Sequence, residues 1–387
     1  MMGRQAVIVS ARRTPVAPRG GSLSHLQADE LAAPVLRQLL TDTGLDGRDV
    51  GHVILGNALY GGGNPARLAA LSAGLPETVP ALTLDTQCCS GLDAIILGAR
   101  LIEAGAADCV LAGGTESFSR APLRMHRPQQ LGTEPVAYLR PRFAPPPFAD
   151  PDLTEAAAGL AAREAISRET QADFAVLSHE KALAAASILN GRLVPCPGGG
   201  PLKDSFARQL TRRTAMKAPL LAGATATGLS AATIACEADA AAAVLLLSKD
   251  RAKALKLGGL AITGAASLGG DPAEPALVPV ALGRVLLKGS SGPVADYHAV
   301  EIHEAYAVQA MATATALSIP ADCLNPLGGG LARGHPIGAS GAILACQLFD
   351  AALTKKPASK HAVFTGMALI AAAGGLAAGM RVSAVPA

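Results

Sequence analysis

Residues 85–95, DTQCCSGLDAI, constrain the fold of this chain more tightly than any other stretch. An apolar run at 79–84, with a proline at 80, leads into them and reads as a strand. A polar turn follows. Leu92, Ala94, Ile95, Ile96, Leu97 and Leu101 then look like one helix face. Cys88 is thereby placed at a strand-to-helix elbow, with Ser90 and Gly91 opening the helix. The first turn of a helix presents free backbone N–H groups and the positive end of the helix dipole. A thiol held there is expected to have a lowered pKa, as a nucleophilic cysteine requires. Cys88 and Cys89 also read as small buried hydrophobes, the usual state of free thiols.

The 387 residues suffice for two or three domain-sized units around a large core. Half of them are hydrophobic and only 16% are charged, which fits a mostly buried α/β protein. With 3% aromatic residues and no Trp, that core is built from Ala, Leu, Val and Ile. A net charge of +3 is too small to imply a nucleic-acid partner. The seven cysteines are odd in number and show no paired spacing, which argues for reduced thiols in a cytoplasmic setting. No metal-spaced His/Cys set is present, so no metal site is expected. No apolar run reaches roughly 18 residues without a polar break, so no membrane span is expected. The short apolar part of the N-terminus reads as a strand, not as a signal peptide.

Strands and helices alternate along the chain. Residues 6–10 (AVIVS) read as a buried parallel-sheet strand, 29–40 as a helix and 52–56 as a strand. A glycine loop at 61–63 precedes a helix closed by Gly74, and 108–113 is a strand after the Cys88 helix. Residues 120–152, rich in Pro and Arg, form an irregular excursion. A helical section spans 154–186, and a second irregular, basic stretch spans 191–217. Regular α/β order resumes at 239–248, read as a small-residue alanine segment and then a strand, and with a strand at 259–268. It continues with a strand at 298–302, a helix from 303, a glycine-rich turn at 325–341, a helix at 342–353, and strands at 361–369 and 378–385. This order implies a parallel or mixed sheet with ligands at the carboxyl ends of its strands.

Several motifs, in order, resemble those of the thiolases. CCSGL is similar to the family's nucleophile segment, with Asp85 where an Asn is usual. IVSARRTP, AGGTESFSRAP, HEAYAVQ and GGGLARGHPIGASGA resemble further family blocks, and the likeness covers nearly the whole chain. It implies an α/β thiolase fold: two βαβαβαββ halves in a five-layered αβαβα core. It assigns 1–120 and 240–270 to the first half, 121–239 to an inserted loop domain, and 271–387 to the second half. It also implies acyl-CoA substrates, a homodimer or homotetramer and a role in fatty acid metabolism. Coenzyme A enters as substrate, with no tightly bound cofactor.

By this resemblance Cys88 is the nucleophile and His335 the base that activates it. His303 stands where the family holds a water or polarises the thioester carbonyl. The backbone N–H groups of Cys88 and Ala373 form an oxyanion hole. Arg208, Arg212 and Arg213 are candidates for the coenzyme's phosphates, and Ala235 falls where a Ser usually contacts the pantetheine arm. Tyr306 replaces a common Phe and is expected in the core. The chain departs most at Ala371, where the family carries the Cys that moves the substrate α-proton; Ala cannot do so. Three functions follow as expectations. The first is an acetyl-CoA acetyltransferase or 3-oxoacyl-CoA thiolase working through acyl-Cys88. The second is a non-Claisen acyltransferase or thioester hydrolase on the same fold. The third is a non-catalytic scaffold subunit.

Overall fold

The structure is a computed structural model and describes residues 4–290, 292–354 and 363–387. Among the described residues its main sheet has ten strands. The first half supplies β1 (Ala6–Arg13), β2 (His52–Gly56), β3 (Ala81–Leu84), β4 (Cys109–Ser117) and β5 (Ala238–Ser248), together with the two-residue strand Ala17–Pro18 beside β5. The second half supplies β6 (Gly259–Gly269), β7 (Ala299–Ile302), β8 (Thr365–Ala372) and β9 (Leu376–Val385). The order across the sheet is β3-β2-β4-β5-β1-β6-β9-β8-β7, so the halves meet at the antiparallel pair β1–β6. Each half has its parallel pairs at the outer edge and its antiparallel pairs toward the join. The second half's counterpart of β3 is reduced to one parallel bridge, Val300 to Leu324.

Alternation along the strands sorts the core into layers. Val110, Ala112, Val244 and Leu246 pack with second-half residues such as Ala368, Ile370 and Met380 around α3 (Ser90–Glu103) and α8 (Ile337–Thr354). Leu111, Leu245 and Val53 face the other way, onto α1 (Ala28–Thr43) and α2 (Pro65–Ser72). Val300, Met367 and Leu369 pack under α6 (Val278–Lys288) and α7 (Ala307–Ala316). Helices, first-half strands, helices, second-half strands and helices thus succeed one another, with α3 and α8 in the middle. The 18-residue α8 has a mean hydropathy of 1.4, but it is 78% buried inside the protein and serves as a core helix. Between β4 and β5 lie α4 (Leu153–Arg163), α5 (Arg168–Ala184), a short helix Arg212–Lys217 and two small two-stranded ribbons.

Several elements differ from the sequence reading. β1 runs antiparallel to both neighbours, β5 and β6. Its apolar run reports burial on two faces, which holds for either strand direction. The alanine run at 238–243 belongs to β5 itself, because Ala240 and Ala242 pack in the central cluster and Ala241 and Ala243 in the outer one. The helical section at 154–186 is two helices, broken at Ala165 (φ +52°) and restarted by Ser167, which caps the N–H of Thr170. Thr211 caps a helix inside the stretch read as irregular. The strand read at 361–369 is described from Thr365, and residues 361 and 362 lie outside the described residues.

Candidate active site

The strand β3 ends at Leu84, and the chain turns through Gln87 (φ +55°) before α3 begins at Ser90. The hydroxyl of Ser90 closes this elbow by accepting the N–H of Thr86 and donating to the carbonyl of Gln87. Cys88 sits on it with Sγ 3.1 Å from Nε2 of His335. His335 arrives from the other half, on the turn that precedes α8. Its backbone N–H donates to the carbonyl of Cys236 at 2.7 Å. The turn docks flat on the first half because two glycines let the backbones meet. A Cβ on Gly114 would lie 1.8 Å from the carbonyl oxygen of Gly338, and one on Gly338 would lie 2.7 Å from Cα of Asn57. The buried carboxylate of Glu116 ties the contact together. It accepts the N–H groups of Ala58 and Gly338 at 3.0 and 2.9 Å.

The His335 tautomer follows from its second nitrogen. Nδ1 lies 2.7 Å from Oγ of Ser340, whose own hydroxyl hydrogen goes to the carbonyl of Pro336 at 2.9 Å. Ser340 must therefore accept, Nδ1 carries the proton, and Nε2 turns a lone pair toward Cys88. Sequence reading missed Ser340, although its place five residues after the histidine, in the first turns of α8, was a usable signal. Ser340→Ala is expected to slow acylation of Cys88 about 10-fold or more by releasing the tautomer. Stopped-flow acylation beside a thermal melt checks this; an unchanged rate in a folded variant would refute the role.

Burial reverses one expectation. The Cys88 thiol is pushed up to about 12, chiefly by desolvation, although the N–H groups of Ala373 and of Cys88 itself pull the other way. Burial likewise holds His335 down at about 4. The resting pair is neutral thiol and neutral imidazole, because the helix terminus does not offset the loss of water. The N–H groups that bear on Sγ are the two expected for the oxyanion hole.

The His303 ring lies 4.3 Å, centroid to centroid, from that of His335, and its Nε2 has no hydrogen-bond partner among the described residues. Burial, and then the neighbouring His335, hold its pKa well below the usual imidazole value. Glu304 orients this region. Its buried carboxylate accepts from Ser178, Asn325 and the N–H of Leu331.

A small apolar cavity opens beside Cys88, walled by α4, by Tyr306 and Gln309, and by residues Ala371, Ala372 and Ala373. Tyr306 packs against the core cluster of Leu160, Leu229 and Val308, as expected, and also walls this cavity, with its hydroxyl 3.2 Å from Oγ1 of Thr154. The other cysteines that could stand in at Ala371 lie outside this lining. Cys89 is buried with Sγ toward the carbonyl of Ile370, Cys323 toward Pro320, and Cys346 toward Arg12.

Ala235 runs past the site, its N–H donating to the carbonyl of Ala305. The basic candidates lie outside the cavity lining. Arg208 is exposed and stacked 4.3 Å over Phe206, Arg212 pairs with Asp173, and Arg213 is exposed. Sequence reading missed a buried ion cluster next to this region. Asp204 accepts both terminal nitrogens of Arg13, at 2.7 and 2.8 Å, and Nε of Arg333 at 3.0 Å.

Family models, sequence relatives and a solved structure all match this chain. The family model "Thiolase, N-terminal domain" matches residues 6–250, and "Thiolase, C-terminal domain" matches 259–384. A Staphylococcus aureus protein named for acetyl-CoA C-acetyltransferase activity (VraB) is 36% identical over 364 residues, 89% of this chain and 92% of that one. The Staphylococcus epidermidis protein of the same name is 36% identical over 362 residues, with the same shares of the two chains. The crystal structure of Bacillus anthracis acetyl-CoA acetyltransferase superposes with a TM-score of 0.88 at 28% identity, covering 99% of both chains. Two family models that together span almost the entire chain, and relatives aligned along nearly their full length, show that this protein belongs to the thiolase family.

Proposed function

We propose that this thiolase-type acyltransferase works through an acyl-Cys88 intermediate. The observation that carries the reading is the 3.1 Å contact between Cys88 Sγ and the unprotonated Nε2 of His335. As Sγ attacks the thioester carbonyl of an acyl-CoA, its proton passes to Nε2. The carbonyl oxygen becomes an oxyanion, held by backbone N–H groups. Collapse of the tetrahedral adduct breaks the bond to the coenzyme sulfur, which takes the proton back from His335 and leaves as free coenzyme A. The acyl group remains on Cys88 until a second nucleophile removes it. A scaffold subunit would have no use for this thiol–imidazole contact. The test is intact-protein mass spectrometry after acetyl-CoA: a gain of one acetyl group on the Cys88 peptide is expected, and no gain would overturn the reading.

A second reading concerns the acyl acceptor. Claisen chemistry needs a group that moves the substrate α-proton, and Ala371 lines the cavity where the family places a thiol. His303, beside His335, is the proposed substitute. The wild type is expected to acylate readily yet to be slow in acetoacetyl-CoA thiolysis. General acid–base catalysis contributes about 100- to 10,000-fold, so Ala371→Cys is expected to raise thiolysis within that range. An unchanged rate in Ala371→Cys, together with ordinary thiolysis in His303→Ala, would remove both the deficiency and the substitute.

The remaining assignments belong to the same proposal. They are coenzyme A as substrate without a tightly bound cofactor, the inserted segment between β4 and β5 as its docking surface, a homodimer or homotetramer, a cytoplasmic site and a place in fatty acid metabolism.

A further inference from the structure

Gln309 lies in the first turn of α7 and lines the cavity beside Cys88. It is 2% exposed, and neither Oε1 nor Nε2 of its amide has a hydrogen-bond partner among the described residues. Its backbone carbonyl is engaged, accepting the hydroxyl of Thr313 at 2.9 Å. Leaving a buried amide unsatisfied is destabilising, so such a group in this cavity points to a ligand that completes it. The neighbouring side chains do not. Those from α4 are Leu153, Ala156 and Ala157, the Tyr306 hydroxyl is held by Thr154, and the Cys88 thiol faces His335.

The chemistry of the missing partner is restricted. An amide offers one donor group and one acceptor, so the partner must both accept and donate. A plain alkyl acyl group does neither and would seal the amide away from water. A carboxylate accepts only, and among the described residues no Lys or Arg lines the cavity to neutralise it. A hydroxyl satisfies both amide atoms at once and carries no charge.

We propose that Gln309 is a specificity-determining residue, and that the acyl group best accepted by Cys88 is a short chain bearing a neutral hydroxyl. This rests on the acyl-Cys88 reading. Hydroxyacetyl-CoA and propionyl-CoA provide the test, since they differ by a hydroxyl in place of a methyl of similar size. A site built to bond a hydroxyl discriminates strongly against the analogue that lacks it. Wild-type acylation, followed by mass spectrometry against time, is expected to favour hydroxyacetyl-CoA at least ~10-fold, and Gln309→Met to bring the ratio near one. A wild-type ratio near one, or a preference for propionyl-CoA, overturns the proposal without any variant. An equal loss for both thioesters in Gln309→Met also overturns it, by placing the amide's partner on the coenzyme arm. If acetyl-CoA labels Cys88 and the two longer thioesters are not distinguished, only this inference fails. If none of the three labels the protein, it falls together with the acyl-enzyme reading.

Discussion

Cys88→Ser is expected to lower acyl transfer by about 10,000-fold or more, with His335→Ala costing nearly as much and the double variant little more than either. The pair acts as one unit because neither member is useful alone. The thiol is held near 12 and the imidazole near 4, so no thiolate waits in the resting site. Attack coupled to proton transfer across the 3.1 Å contact is the expected course. A serine at 88 presents a far weaker acid to the same base. The pH profile follows from the same numbers. The base is lost as pH falls through about 4, where Nε2 takes a proton, and the thiol keeps its proton until about 12. Acylation should therefore be nearly flat across the neutral range. A steep rise with pH near 8 would show an ordinary free thiolate and would contradict the concerted step. Single-turnover transfer of radiolabelled acetyl groups, measured for both single variants and the double, checks the size and the non-additivity.

Asp204→Asn is expected to destabilise the protein by about 3–5 kcal/mol, a large share of the roughly 5–15 kcal/mol of a typical native protein. The carboxylate is the anion that binds Arg13 in a fork and reaches Nε of Arg333, and both arginine side chains are only 2% exposed. It also accepts the N–H of Val16 at 3.0 Å. Without its charge, two buried guanidinium groups confront each other. The arginines hold the Asp204 carboxyl down at about 2, below the 3.8 of a free aspartate. A depressed folded pKa gives stability that is complete above the unfolded value. Here it is lost as pH falls from about 4 toward about 2. Urea unfolding at neutral pH should show a lower midpoint with an unchanged slope. A shift below about 1 kcal/mol would mean that the arginines find other acceptors.

Much of this was legible in the sequence because it depends on local pattern. The elbow at Cys88 follows from an apolar run, a turn and a helical repeat. The His335 turn follows from glycines and prolines around one histidine. What stayed hidden depends on neighbours far along the chain. The direction of β1 is set by β5 and β6, more than 200 residues later, and its own apolar run is silent on it. The direction of the thiol's pKa shift stayed hidden because helix position can be read locally, whereas Cys88, itself only half-buried, is desolvated by both halves together. Asp204 reads as part of an exposed basic stretch until Arg13 and Arg333 are brought against it. The two unpaired amide atoms of Gln309 give no sign in a helix that otherwise reads as alanine-rich packing.

The contact that makes Cys88 reactive joins residues 247 positions apart. Contacts of such long sequence separation are slow to form, because a large loop must close before they yield any gain. During synthesis the nucleophile therefore emerges long before its base exists. Until the second half folds back, Cys88 is an ordinary cysteine with no imidazole to take its proton. Stray thioesters and disulfides meet no specially reactive group on the nascent chain. Chemical competence arrives with the docking of the two halves, so acylation of Cys88 can serve as a clock for that docking.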